Sequence, residues 1–132
     1  SPLKSKAFYQ MGRIFFTQRQ FKLMKDALEH SIALDPDFMP SLNLLAYYYV
    51  SHDHDMIKAQ QLIARVLSKE PENPHYRDTQ AYILYKQHEY EKAAHIIDPI
   101  VEQLPCDIFI QKHHAKIHAK LHSESNMIEQ ND

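Results

Sequence analysis

The chain has 132 residues, 44% of them hydrophobic and 24% charged, which is enough for one domain with a modest core. A formal net charge of −2 gives no overall attraction for nucleic acid, and a single glycine argues against glycine-turned hairpins and phosphate-cradling loops. One cysteine, Cys106, excludes an intrachain disulfide, and no apolar run nears the roughly twenty residues of a membrane-spanning helix.

The chain opens Ser-Pro-Leu-Lys, with neither methionine nor a signal-peptide pattern, and reads as a fragment or processed form compatible with cytoplasm or periplasm. Apolar spacing then predicts helices over residues 4–17 and 20–34, 38–51 and 55–69, 74–87 and 89–104, with a last one over 107–121. Asp37, Asn73 and Asp107 stand where N-caps are needed. Asp98-Pro99, inside the sixth helix, reads as a cap and first-turn proline, so a kink or restart is expected there. The residues from 123 to 132 read as a flexible polar tail.

These elements repeat. Pro36, Pro71 and Pro105 close apolar stretches and lie 35 and 34 residues apart. Gly12, Ala46, Ala81 and Ala115 follow at 34, 35 and 34; Met24, Ala59 and Ala93 follow at 35 and 34, as do Leu28, Ile63 and Ile97. The step is still 34 at Ala46 and has become 35 by Ala59. One extra residue therefore lies between them, and the turn from Ser51 to Asp55 is the cheapest place for it. Small residues at 12, 46 and 81 let paired helices approach, and Phe15, Tyr49 and Leu84 fill the space around that contact.

The set Phe8, Met11-Gly12, Phe15, Met24, Leu28, Ser31 and Pro36 resembles the tetratricopeptide repeat (TPR). So do Leu42, Leu45-Ala46, Tyr49, Ala59, Ile63, Val66 and Pro71 in the second unit, and Ala81, Leu84, Ala93, Ile97, Ile100 and Pro105 in the third. More narrowly, Leu45-Ala46-Tyr47, residues 78–82 and Tyr90 to Ala93 are similar to C-terminal repeats of bacterial TPR proteins. The resemblance implies an all-α, right-handed superhelix over residues 1–122, with repeats at about 5–38, 39–73 and 74–107 and a cap helix at 107–121.

It also implies a function. In this family the first helix of each pair lines a concave groove that binds a peptide or helix of another protein. By register the groove residues are Tyr9, Gln10 and Arg13, then Asn43, Tyr47 and Val50, then Asp78, Thr79, Tyr82 and Tyr85, with Lys112, His113 and Lys116 from the cap helix. The tyrosines have an alternative role in packing between hairpins. The lysine/asparagine/arginine clamp by which some members grip a chaperone's terminal carboxylate is not matched. Tyr9, Arg13, Leu44, His75 and Thr79 stand at its positions, with Asn43 one residue off.

Other chemistry is thin. His114, His118 and His122 share a helix face at i, i+4 spacing and are weak metal candidates, as is His52-Asp53-His54-Asp55. His88-Glu89 starts a zinc-protease pattern that Lys92 breaks. Cys106 sits near a helix start, but no histidine pairs with it, and a buried inert thiol is the expectation. Lys112, His113, His114, Lys116, His118 and Lys120 form a basic helix, read as a charged end cap. The reading is a protein-binding adaptor, not an enzyme, with no cofactor, nucleic acid or membrane span. The alternative is an end segment of a longer solenoid that associates with itself, because Phe8, Met11 and Phe15 lack a covering helix.

Overall fold

The structure, a computed structural model, describes residues 1–131. Seven α-helices account for nearly all of them: α1 Pro2–Thr17, α2 Phe21–Leu34, α3 Met39–Tyr48, α4 Met56–Lys69, α5 Pro74–Lys86, α6 Tyr90–Gln103 and α7 Ile108–Asn131. They form two compact units, one ending at Lys69 and the other beginning at Glu70.

In the first unit α1 packs on α2, α2 on α3 and α3 on α4. Met24, Leu28, Ala46, Ala59 and Val66 are fully buried at positions of the repeat pattern, and Val50 is buried with them. Gly12 allows the close approach of α1 and α2, since a Cβ there would lie 2.8 Å from Leu28 Cδ2. Three buried serines tie α1, α2 and α3 together. The Ser31 hydroxyl donates to the Ser5 carbonyl at 2.8 Å, the Ser5 hydroxyl donates to the Ser31 carbonyl at 2.9 Å, and the hydroxyls of Ser31 and Ser41 meet at 2.6 Å. Small side chains here bring backbones close and leave no polar atom unmatched.

The extra residue of the second repeat is visible as geometry. The Gln20 N–H reaches back to the Phe15 carbonyl and the Glu89 N–H to the Leu84 carbonyl, each spanning five residues. In the second repeat the Asp55 N–H reaches the Tyr49 carbonyl, a span of six, across a π-helical turn at Tyr49–Asp53. The wider turn absorbs the insertion at the end of the helix instead of in the following loop. All three hairpins then turn through a left-handed residue, Arg19, His54 and His88, with φ of 59°, 52° and 64°. These are positions that glycine usually holds.

The π turn also fixes a polar contact. The buried Tyr48 hydroxyl donates to Asp53 Oδ1 at 2.8 Å, and Lys25 pairs with Oδ2 at 3.4 Å. Burial and the bond to Asp53 push the Tyr48 phenol up from 10.0 to about 12, and the same bond holds the Asp53 carboxyl below its usual range. The folded state thus favours the protonated phenol. That contribution is complete below pH 10 and is lost as pH rises towards about 12, a difference of about 2–3 kcal/mol. Urea unfolding at pH 9 and near pH 12 should show this loss in the wild type and its absence in Tyr48→Phe. An equal loss in both would place the alkaline transition on other tyrosines.

In the second unit α5 packs on α6, and α6 on α7. Its core joins Ala81, Ala93, Ala94, Ile97, Ile100, Ile110 and Ile117. Asn73 caps α5, accepting from the N–H groups of His75 and Tyr76, and Asp107 accepts from the Ile110 N–H at 3.1 Å. Ala115 is exposed where Gly12, Ala46 and Ala81 are buried, because no second helix packs on that side of α7 among the described residues.

Four expectations are corrected. Asp37 does not cap α3: the Asp35 carboxylate takes the Asp37 N–H at 3.1 Å in a turn, and the helix starts after Phe38. Pro99 neither breaks nor restarts α6, which runs through it as one helix. Helix α7 continues past residue 121 to Asn131, with residues 122–130 exposed; Asp132 lies outside the described residues. Cys106 is exposed in the turn before α7, not buried.

Candidate partner-binding site

On the first unit the candidate residues lie along α1 and α3. Tyr9 is half-buried against Phe38, with ring centroids 5.6 Å apart, while Gln10 and Arg13 are exposed. The Arg13 guanidinium lies 5.9 Å from the Tyr9 ring centroid, and its Nη1 donates to Gln10 Oε1 at 3.3 Å. These three form one assembled cluster of ring, amide and cation. On α3, Tyr47 is half-buried and meets Phe16 edge-on at 5.9 Å. Asn43 is half-buried, and its Oδ1 has no hydrogen-bond partner among the described residues. Val50 is fully buried and serves the core, not a surface.

On the second unit the candidates divide. Asp78 is buried and accepts from His113 Nδ1–H at 2.9 and 3.0 Å through its two oxygens. Tyr82 is buried and stacks on His113 at 4.3 Å and on Tyr85 at 5.9 Å. Thr79 is buried, and its hydroxyl donates to the His75 carbonyl at 3.3 Å. These residues form the framework between α5 and α7. Tyr85 is half-buried, and Lys112 and Lys116 are exposed. Of the candidates on this unit, those three keep solvent-accessible side chains.

The histidines of the basic run on α7 meet carboxylates. His113 faces Asp78, and His114 and His118 face Asp98 at 3.4 and 2.6 Å. The other histidine group is also engaged: the His52 ring lies 3.7 Å from Phe21, and Asp53 serves Tyr48 and Lys25. Burial and the neighbouring Arg19 push His52 below its ordinary value. His122 stands apart from Asp98 and pairs with Asn126 at 3.3 Å. Sequence reasoning missed Asp98 and the Asp78–His113 pair. The two residues lie 35 apart, one more than the 34-residue step from Ala81 to Ala115, so repeat register alone does not pair them.

The fold is that of a tetratricopeptide repeat domain: three helical hairpins followed by a seventh helix. The first TPR domain of human RPAP3 superimposes with a TM-score of 0.76 at 15% identity, over 96% of this chain and 98% of that one. The first TPR of Spaghetti, bound to the HSP90 peptide SRMEEVD, gives 0.73 at 14% identity over 92% and 95%. A TPR protein of Parabacteroides merdae gives 0.74 at 11% identity, over 92% of this chain and 47% of that one. Human, fungal and bacterial domains match alike, so the likeness does not single out a bacterial origin. No family model and no curated protein matches the sequence.

Proposed function

We propose that the chain is a protein-interaction module, not an enzyme, and that it takes a peptide or helical segment of a partner on the exposed sides of its first helices. The observation that carries this reading is the Tyr9–Gln10–Arg13 cluster, a ring and a cation already held together on the surface of α1. Such amphipathic groups gain contact area with little loss of side-chain freedom. Tyr85, Lys112 and Lys116 give the second unit the same chemistry. Partner binding in a host lysate should fall at least about tenfold in Tyr9→Ala/Arg13→Ala or in Tyr85→Ala/Lys116→Ala, with folding intact. Capture unaltered by both would overturn the proposal.

The neighbours' peptide is a separate question. Thr79 is buried and Leu44 is apolar, so two positions of the acidic-terminus clamp present no free donor. The peptide SRMEEVD, which Spaghetti binds, is expected to bind this chain no tighter than about millimolar. A micromolar constant by fluorescence anisotropy would contradict that.

A second reading rests on α1 itself. Leu3, Met11 and Ile14 are 78%, 43% and 54% exposed and follow one helical stripe with Ala7, an apolar face that another copy can cover. Light scattering at high concentration separates the readings: a dimer abolished by Ile14→Lys supports self-association, and a strict monomer removes it.

A further inference from the structure

We infer that Asp98, His114 and His118 form a binding site for a divalent transition cation of the zinc type, joining α6 to α7. Two histidines four residues apart stand on one side of α7, and Asp98 on α6 meets them. The ligating atoms of all three lie within 4.8 Å of one another. His118 Nε2 is 2.6 Å and His114 Nε2 is 3.4 Å from the same carboxylate oxygen, and the two rings are 4.4 Å apart by their centroids.

These distances suit the ion. Zinc bonds of roughly 2.0–2.1 Å to nitrogen and oxygen set tetrahedral ligands about 3.3 Å apart. The His114–Asp98 distance already has that value. The His118–Asp98 distance must open by less than about 1 Å, which a rotation of an exposed carboxylate supplies. In the metal-free protein the His118 Nε2–H donates to Asp98. The cation would take the place of that hydrogen, which moves by way of solvent to Nδ1. Imidazole nitrogen and carboxylate oxygen suit zinc, nickel and copper and would select against calcium. Three protein ligands leave a fourth position for water or for a side chain of another molecule.

The site differs from the histidine-only stripe that the sequence offers. His122 is directed to Asn126, and Asp98 replaces it. Asp98 also does not act as a cap for a new helix at Pro99, because α6 is continuous and the carboxylate is turned to α7. The pairing spans twenty residues or fewer in sequence and lies wholly within the second unit, so it does not depend on the partner surface.

The test is calorimetric titration of the untagged full chain with Zn2+ alone, repeated on Asp98→Asn, His114→Ala/His118→Ala and His122→Ala, each checked for unchanged helical circular dichroism. One zinc per chain is expected. Asp98→Asn, which keeps shape and removes the charged ligand, should weaken binding at least about tenfold; the double variant should abolish it and His122→Ala should leave it within about twofold. Substituted Co2+ should give the visible absorption of a four-coordinate ion in the wild type and lose it in Asp98→Asn. The inference is overturned by no zinc binding, by Asp98→Asn binding as tightly as wild type, or by His122→Ala weakening binding as much as the double variant.

Discussion

Replacing Leu28 with alanine is expected to destabilise the chain by about 3–5 kcal/mol, at the upper end for a buried leucine. Leu28 is fully buried, and its side chain fills the space that Gly12 leaves on α1. The pairing gives a sharper form of the result. A methyl group at residue 12 would stand 2.8 Å from Leu28 Cδ2 and 3.0 Å from Cγ. Gly12→Ala gains up to about 1 kcal/mol of helix preference but costs about 1–3 kcal/mol in overpacking. It should therefore destabilise the wild type by about 1 kcal/mol. In the Leu28→Ala background the clash is gone, and the same change should stabilise. Denaturant unfolding of the four proteins measures the coupling. Additive effects would mean that helix preference alone, and not the close approach, governs residue 12.

Asp78→Ala should cost about 1–3 kcal/mol, since it leaves the buried His113 Nδ1–H without its acceptor. Asp78→Asn retains one acceptor oxygen and should cost less than about 1 kcal/mol. The contrast decides what Asp78 is for. A framework residue loses stability in the alanine variant while Asp78→Asn binds partner as wild type does. A residue that touches the partner would lose affinity in Asp78→Asn with little change in unfolding.

Much of the fold was legible because a repeat averages out the weakness of each residue. Gly12, Ala46 and Ala81 are individually ambiguous; their shared spacing with Leu28, Ile63 and Ile97 is not, and every one of them is buried. The insertion in the second repeat was also readable from spacing, but its form was not. A sequence shows where a residue is added and not whether a loop lengthens or a helix widens, and here Tyr49–Asp53 widens. Helix ends were less legible. Asp35 accepts the N–H of Asp37 itself in a turn and the helix starts only after Phe38, and Pro99 was absorbed without a break.

The candidate surface was legible only by half. Register placed Asp78 and Tyr82 with Tyr9 and Arg13, but register fixes a helix face and not its depth. The ring of His113 covers Asp78 and stacks on Tyr82, and that depends on a side chain 35 residues away from Asp78. The same limit hid Asp98, whose carboxylate meets His114 and His118 only once α6 lies on α7. Cys106 shows the reverse error: a cysteine near a helix start reads as buried, yet no element covers this turn among the described residues.

Whether partners bind on the exposed sides of the first helices can be read by site-specific photocrosslinking. A photoreactive phenylalanine analogue would replace Tyr9 or Tyr85 on those helices, or the exposed Gln60 on α4. Positions 9 and 85 are expected to yield a crosslinked partner and position 60 none. A partner crosslinked from position 60 alone, or products from position 9 that contain only a second copy of the chain, would contradict that expectation.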